Sequence, residues 1–323
     1  MRSQLQLHTL HGGILPPVAS DLHERHIEDV VKEALASSVD ENGTCSIDAV
    51  AVTTKPGMAA SLLVGLRHAK QVCQRLGVPL VPIHHMEAHA LTLEFPFLVL
   101  LISGGHCLLG IAEGVDKFVL LGKTLDDAPG EAFDKIARRL KLSNLAEFSN
   151  VSGGHAIEGA AAGGDPSRYH VAEPLLQYKN CDFSFAGIKN STRAIIIAEE
   201  NRDGVVGDEL LKGVRDLCAS VQVAIARHLL RRVIRGIFYY RHQQSFIKSL
   251  YFKVVSGGVA CNSFIRRSLE TGCGPLGVEL VAPPPRLCTD NGVMVAWNGV
   301  ERWSRNLGIV PLEKLQVVDI QPK

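Results

Sequence analysis

Phe95-Pro96-Phe97-Leu98-Val99-Leu100-Leu101-Ile102 runs directly into Ser103-Gly104-Gly105-His106. A nearly continuous apolar run of strand length suits a strand covered on both faces, which is the habit of sheets sandwiched by helices. The glycine pair ends the strand abruptly. It lets the backbone turn tightly, aim several N–H groups at one point and admit a phosphate that side chains would keep away. The pattern returns at 250–255, where an apolar run meets Ser256-Gly257-Gly258, and a third Ser-Gly-Gly stands at 152–154. One such turn is equally a plain strand exit, whereas three point to a nucleotide site. They match neither the dinucleotide-binding glycine fingerprint nor a Walker loop with its lysine.

Around this stretch, strand and helix patterns alternate. Residues 21–35 and 59–76 carry apolar stripes of helical period, and 47–53 and 80–83 read as strands. His84-His85-Met86-Glu87-Ala88-His89-Ala90-Leu91 is free of Gly and Pro and suits a helix. Residues 131–142 and part of 205–240 read as helices, and another helix follows Gly258 through Leu269. The alternation predicts an α/β chain. Its 323 residues suit two lobes, each with its own core. The expected division is 1–94, 95–300 and a tail at 301–323.

Composition narrows the class. Apolar residues make up 46% and charged residues 21%, ordinary values for a globular protein, and no apolar run approaches membrane-spanning length. The net charge of +1 announces no polyanionic partner. The eight cysteines include no Cys-x-x-Cys pair and read as free thiols in a reducing compartment. The first ten residues hold one arginine and resemble neither a secretory signal nor a transit peptide.

Three features carry chemistry. His85 and His89 stand four apart, so a helix puts both imidazoles on one face, a spacing that suits one divalent ion with Asp290 of Thr289-Asp290-Asn291-Gly292 as an oxygen ligand. The same spacing is also common on helix surfaces that bind nothing. His84 faces about 100° away. Glu87 does not directly follow the first histidine, which argues against a metalloprotease. Asp126-Asp127-Ala128-Pro129-Gly130-Glu131 and Asp134 could hold ribose hydroxyls, order a loop, or complement a helix start. Lys135, Arg138, Arg139 and Lys141, then Arg231, Arg232 and Arg235, then Arg266 and Arg267 form basic sets that could follow RNA phosphates or simply face solvent.

Six ordered segments together resemble a known family. They are His85-Met86-Glu87-Ala88-His89, Leu101-Ile102-Ser103-Gly104-Gly105-His106, the Asp127–Lys135 run, Asp182-Phe183-Ser184-Phe185-Ala186-Gly187-Ile188-Lys189, Ser256-Gly257-Gly258-Val259-Ala260-Cys261-Asn262, and Pro283-Pro284-Pro285-Arg286-Leu287-Cys288-Thr289-Asp290-Asn291-Gly292. In this order they resemble the tRNA threonylcarbamoyl-adenosine transferases, in their bacterial and mitochondrial branch. The resemblance implies the actin-like ATPase (sugar kinase/actin) fold of two lobes. It implies acyl transfer from threonylcarbamoyl-AMP to N6 of the adenosine beside the anticodon in tRNAs reading codons that begin with adenine, and a mitochondrial location. Carried over by residue, it makes His85, His89 and Asp290 ligands of one divalent cation: zinc, iron or a magnesium-like ion. It gives Leu101, Ile102, Ser103, Gly104, Gly105, Asp134, Gly154 and Asn262 to the adenylate. Partners would be tRNA, the adenylate and a second copy of the chain, without a membrane. Family members also carry a leading strand and an acidic loop that this chain begins after, and the connection from His89 to Phe95 is short. The first lobe is therefore expected to lack its leading strands, and a non-catalytic relative binding only nucleotide, metal or a partner is the alternative. A sugar-kinase-like phosphotransferase would share the fold.

Overall fold

The computed structural model describes residues 15–38, 46–90, 95–243 and 251–322. Readings that fall on 8–14 and 91–94, including the start of the chain and the short connection after His89, lie outside these residues. The chain divides into two compact units, Met1–Leu91 with Asp290–Lys323, and Thr92–Thr289. The sequence reading draws the boundary at 95, keeps residues up to 300 in the second lobe and calls 301–323 a tail. In the structure the segment from Asp290 onward packs with the first unit instead.

That first unit is a βαβ element with additions. Helix α1 (Pro16–Ala36) precedes strand β1 (Val50–Lys55), helix α2 (Ala59–Leu76), strand β2 (Leu80–His84) and the single helical turn pair α3 (His85–Ala90). β1 and β2 are parallel, with Val50 opposite Leu80, so α2 must cross over between them. α2 ends at Gly77, which adopts φ 72° and donates its N–H to Cys73 O, the usual glycine stop. Leu66, Ala69, Cys73 and Leu80 close on Leu315 from the chain's end. Val310 bridges Leu80, and Gln321 N–H reaches Thr54 O at 2.9 Å. The last thirty or so residues are therefore structural members of this unit.

The second unit is built on a four-stranded sheet in the order β5-β4-β3-β6. β3 (Phe97–Ile102), β4 (Cys107–Ala112) and β5 (Phe118–Lys123) form an antiparallel meander, and β6 (Tyr251–Ser256) joins β3 in parallel. All six residues of β3 are buried, as its unbroken apolar pattern predicts for a strand with helices on both faces. β4 and β5 escape the sequence reading because their alternation is weak and their connections short. The helices of this unit are α4 (Pro129–Arg139), α5 (Gly153–Ala161), α6 (Ala186–Asp203), α7 (Val214–Gln243), α8 (Ser263–Cys273) and the one-turn α9 (Pro285–Cys288). α10 (Gly292–Ser304) belongs to the first unit. Leu98, Leu100 and Ile102 share one core with Phe133, Ile136, Phe183, Phe185, Leu217, Ile225 and Leu229.

Within that core lies a histidine. His228 on α7 is wholly buried, its Nε2 accepts the Ser184 N–H at 3.2 Å, and Phe183 and Phe185 meet its ring edge-on. Desolvation, with Arg232 and Arg231 adding to it, lowers its pKa from 6.5 to about 3. The unfolded chain binds this proton more readily than the folded one. Stability is therefore unaffected above about 6.5 and falls as the pH drops toward about 3, by up to about 1.4 kcal/mol per pH unit. Urea midpoints measured across this range should show that slope, and His228→Gln, which keeps an acceptor for Ser184, should flatten it.

Candidate metal centre and nucleotide turns

The metal-capable group forms within the first unit. β2 stops at His84, whose Nδ1 accepts the Met86 N–H at 3.2 Å, and α3 begins at once. One turn of helix then sets His85 edge-on to His89, with ring centroids 4.8 Å apart at 81°. Asp290, at the entry to α10, places Oδ1 3.2 Å from His85 Nε2 and 3.0 Å from His89 Nε2. One ligand atom from each residue lies within 4.8 Å of the other two.

This donor set fits a divalent ion. Two imidazole nitrogens and a carboxylate oxygen are hard-to-borderline donors that suit zinc or iron. The Asp290 side chain is 76% exposed and that of His89 only 3%, so an ion held there keeps open positions on one side. Desolvation of the oxygen wedged between the rings pulls the Asp290 carboxyl up. Hydrogen bonding to His85 and His89, with the rings' charge, outweighs this and holds it well below the ordinary carboxylate range.

Glu87, which sits where a metalloprotease base would not, has a different task. Its carboxylate pairs with Arg302 of α10 at 2.6 Å, and Arg302 Nε donates to the buried Asn298 Oδ1 at 3.1 Å. α3 is thus tied to α10, the helix that Asp290 introduces. No local sequence signal could reveal Arg302, because it lies 215 positions from Glu87.

The Ser-Gly-Gly turns gather in the second unit. β3 and β6 are parallel with Leu101 opposite Ser256, so both turns leave the same end of adjacent strands. Leu101 and Ile102 are buried within β3, so only the backbone beyond them is open to a ligand. The Ser103 hydroxyl turns inward, accepting the N–H groups of His106 at 3.0 Å and Gly105 at 3.4 Å. A methyl group on Gly104 or Gly105 would meet nothing within 4 Å, so this face of the turn is open. Gly257 is the opposite case. It has φ +98°, and a Cβ there would lie 2.3 Å from Ile102 O.

α4 joins these turns to the third. A Cβ on Gly130 would fall 2.7 Å from Gly104 Cα, and one on Gly153 2.5 Å from Asp134 Cα, so α4 packs against both with no room for side chains. The Asp134 carboxylate receives the N–H groups of Gly153 and Gly154, which brings together two residues assigned by resemblance. Crowding on its protein side raises its pKa, and those two N–H donors oppose the rise. Asn262 caps α8, its Oδ1 accepting Ile265 N–H at 2.9 Å and facing Gln222 Nε2 at 3.5 Å. Its Nδ2 and the Gln222 Oε1 are buried without partners, donor and acceptor left over beside the turn.

The neighbouring charges are mostly committed to the fold. Asp126 accepts from Ser184 Oγ at 2.6 Å and Phe185 N–H at 2.8 Å, so it orders the 182–189 segment. Asp127 binds Lys189 at 2.5 Å and Lys135 at 3.0 Å. Of the basic sets, Arg139 pairs with Glu200 and Arg231 with Glu173. Arg232 is fully buried on the carbonyls of Leu175, Tyr178 and Asn180.

The family profile for tRNA N6-adenosine threonylcarbamoyltransferase matches residues 1–297. The human mitochondrial enzyme of that name is 46% identical over 330 residues, covering 100% of this chain and 78% of its own length. The Agrobacterium fabrum enzyme is 40% identical over 308 residues, covering 93% of this chain and 80% of its own.

The chain belongs to the tRNA N6-adenosine threonylcarbamoyltransferase family.

It is thereby placed among transferases, in the actin-like ATPase fold. Among solved structures, T.kodakarensis HypF aligns with TM-score 0.51 at 14% identity, over 81% of this chain and 41% of that one. A likeness that remote speaks for the fold alone. Relatives from human, mouse and zebrafish are named mitochondrial.

Two outcomes follow for this member of the family. Arg302→Met should leave Glu87 unpaired and loosen α3, weakening zinc binding in calorimetric titration roughly 10- to 100-fold, as loss of ligand-orienting contacts does elsewhere. Gly257→Ala should destabilise the second unit by roughly 2–4 kcal/mol in chemical denaturation, because positive φ and a backbone clash combine.

Proposed function

We propose that this chain transfers the threonylcarbamoyl group from threonylcarbamoyl-AMP to N6 of the adenosine adjacent to the anticodon, in mitochondrial tRNAs that read codons beginning with adenine. The observation that carries this reading is the His85–His89–Asp290 group, assembled within 4.8 Å across 201 positions of a chain that matches the transferase profile over 1–297. His85, His89 and Asp290 would hold one divalent cation, which supplies Lewis-acid polarisation and charge neutralisation when bound.

The donor is a mixed anhydride whose leaving group is already good, so the chemistry asks for positioning and charge stabilisation. The open backbone of the Gly104–Gly105 turn and Gly258, beyond which a Cβ likewise meets nothing within 4 Å, suits close approach by a phosphate. Asp134 suits the ribose hydroxyls as an acceptor, and the spare Asn262 amide suits an acceptor on the nucleotide. Ser103 and Ser256 need no nucleophilic role: the Ser103 hydroxyl is occupied by its own turn, and Ser256 is 1% exposed.

Purified protein, given tRNA, threonylcarbamoyl-AMP and a divalent ion, should form the modified nucleoside on digestion of the tRNA. His85→Ala should lower the yield by roughly 100-fold or more, because a site left with two ligands holds its ion poorly. Folded wild-type protein that forms no product with any of zinc, iron or magnesium would defeat the transferase reading and leave a binding role.

A further inference from the structure

Helix α7 buries the polar side chains of Ser220, Gln222, His228 and Arg232. Three of them hold loop backbone. Ser220 Oγ donates to Pro166 O at 3.1 Å, His228 accepts the Ser184 N–H, and Arg232 donates to three carbonyls. Gln222 reaches a side chain instead. It is 4% exposed, beside the buried Val221 and Ile225, and its Nε2 donates to Asn262 Oδ1 at 3.5 Å. Asn262, 6% exposed at the entry to α8, accepts the Ile265 N–H on the same oxygen at 2.9 Å. Two donors on one amide oxygen fix which end of the Asn262 amide is nitrogen and the plane in which it lies. What remains is one donor, Asn262 Nδ2, and one acceptor, Gln222 Oε1, both buried and unpaired.

From this arrangement we infer that Gln222 is a positioning residue for the adenylate: it touches no substrate and acts by holding the Asn262 amide beside the Ser256-Gly257-Gly258 turn. The inference rests on the reading that Asn262 meets the nucleotide. Packing does not call for a glutamine here. A methionine would fill nearly the same volume and leave no unpaired acceptor in an apolar helix interface, where such an atom costs stability. The cap of α8 does not call for it either, because the Ile265 N–H already satisfies that geometry. A second donor on the same oxygen serves binding. An amide free to rotate loses that freedom when a ligand takes it, whereas one already fixed has less to lose. Gln222 stands 40 positions before Asn262, so the helix at the centre of this unit's core also sets the angle of a side chain at the turn.

The test is AMP binding to the folded full chain by calorimetric titration, paired with urea midpoints, for wild type, Gln222→Met, Asn262→Ser and the double variant. Serine keeps an oxygen to cap α8 while removing the amide. Gln222→Met should weaken AMP binding roughly 3- to 10-fold, the order of one orienting hydrogen bond, with a urea midpoint equal to or above that of wild type. In the Asn262→Ser background the same change should have no further effect on AMP, because the group it orients is gone. Gln222→Glu keeps the shape but sets an acceptor against Asn262 Oδ1, and should weaken AMP binding at least as much. In the transfer assay Gln222→Met should raise KM for threonylcarbamoyl-AMP and leave KM for tRNA unchanged. AMP bound by Gln222→Met as tightly as by wild type, a loss that adds in full to that of Asn262→Ser, or a loss matched by a fall in the urea midpoint would each overturn the inference alone. Wild-type protein that binds no AMP would defeat the adenylate reading of the turns and the inference with it.

Discussion

Parallel pairing of β3 with β6 fixes Leu101 opposite Ser256, and the second unit is organised around that register. Two strands running the same way must release their chains at the same end, so two Ser-Gly-Gly turns separated by about 150 residues of sequence become neighbours. The pairing is close enough that Gly257 lies over Ile102 O with no space for a Cβ. Everything that reaches the turns inherits this constraint. α4 can press against Gly104 only because Gly130 carries no side chain, and α5 meets Asp134 only because Gly153 carries none. Glycine here performs two different tasks: Gly130, Gly153 and Gly257 permit contact between backbones, while Gly104, Gly105 and Gly258 leave a face open.

In the first unit the controlling contact is between α3 and α10. A helix of six residues is too short to be stable by itself. Its orientation comes from β2, which delivers it, and from Arg302, which holds Glu87 while Asp290 joins the two imidazoles. An ion pair whose side chains are only 13% and 16% exposed is a demanding contact, since each charge needs the other once water is excluded. It is used here to position a helix, and the metal-capable group is its consequence.

Much of this was legible in the chain as written. The unbroken apolar run of β3 declared a strand covered on both faces, α2 was read at 59–76 from its period, and the spacing of His85 and His89 placed two imidazoles on one helical face. These are local properties, set by side-chain sterics and the 3.6-residue period. β4, β5 and α10 were not read, because their patterns are weak and their burial is conferred by partners distant in sequence. The acidic run at 126–134 left three meanings open. Tertiary contacts commit Asp126 and Asp127 to ordering loops and set Asp134 against the α5 N-terminus. Several of the basic residues, left open between RNA phosphates and solvent, pair with carboxylates or carbonyls, as Arg139 does with Glu200 and Arg232 with the carbonyls of Leu175, Tyr178 and Asn180. Sequence by itself determined elements with strong local patterns, such as β3 and α2, and the chemistry-bearing residue types, since these follow from local geometry. The tertiary structure alone decided that Asp290 belongs to the first unit and that Arg302 orients the histidine helix. Those facts depend on groups brought together from far along the chain by burial and pairing, which no local pattern records.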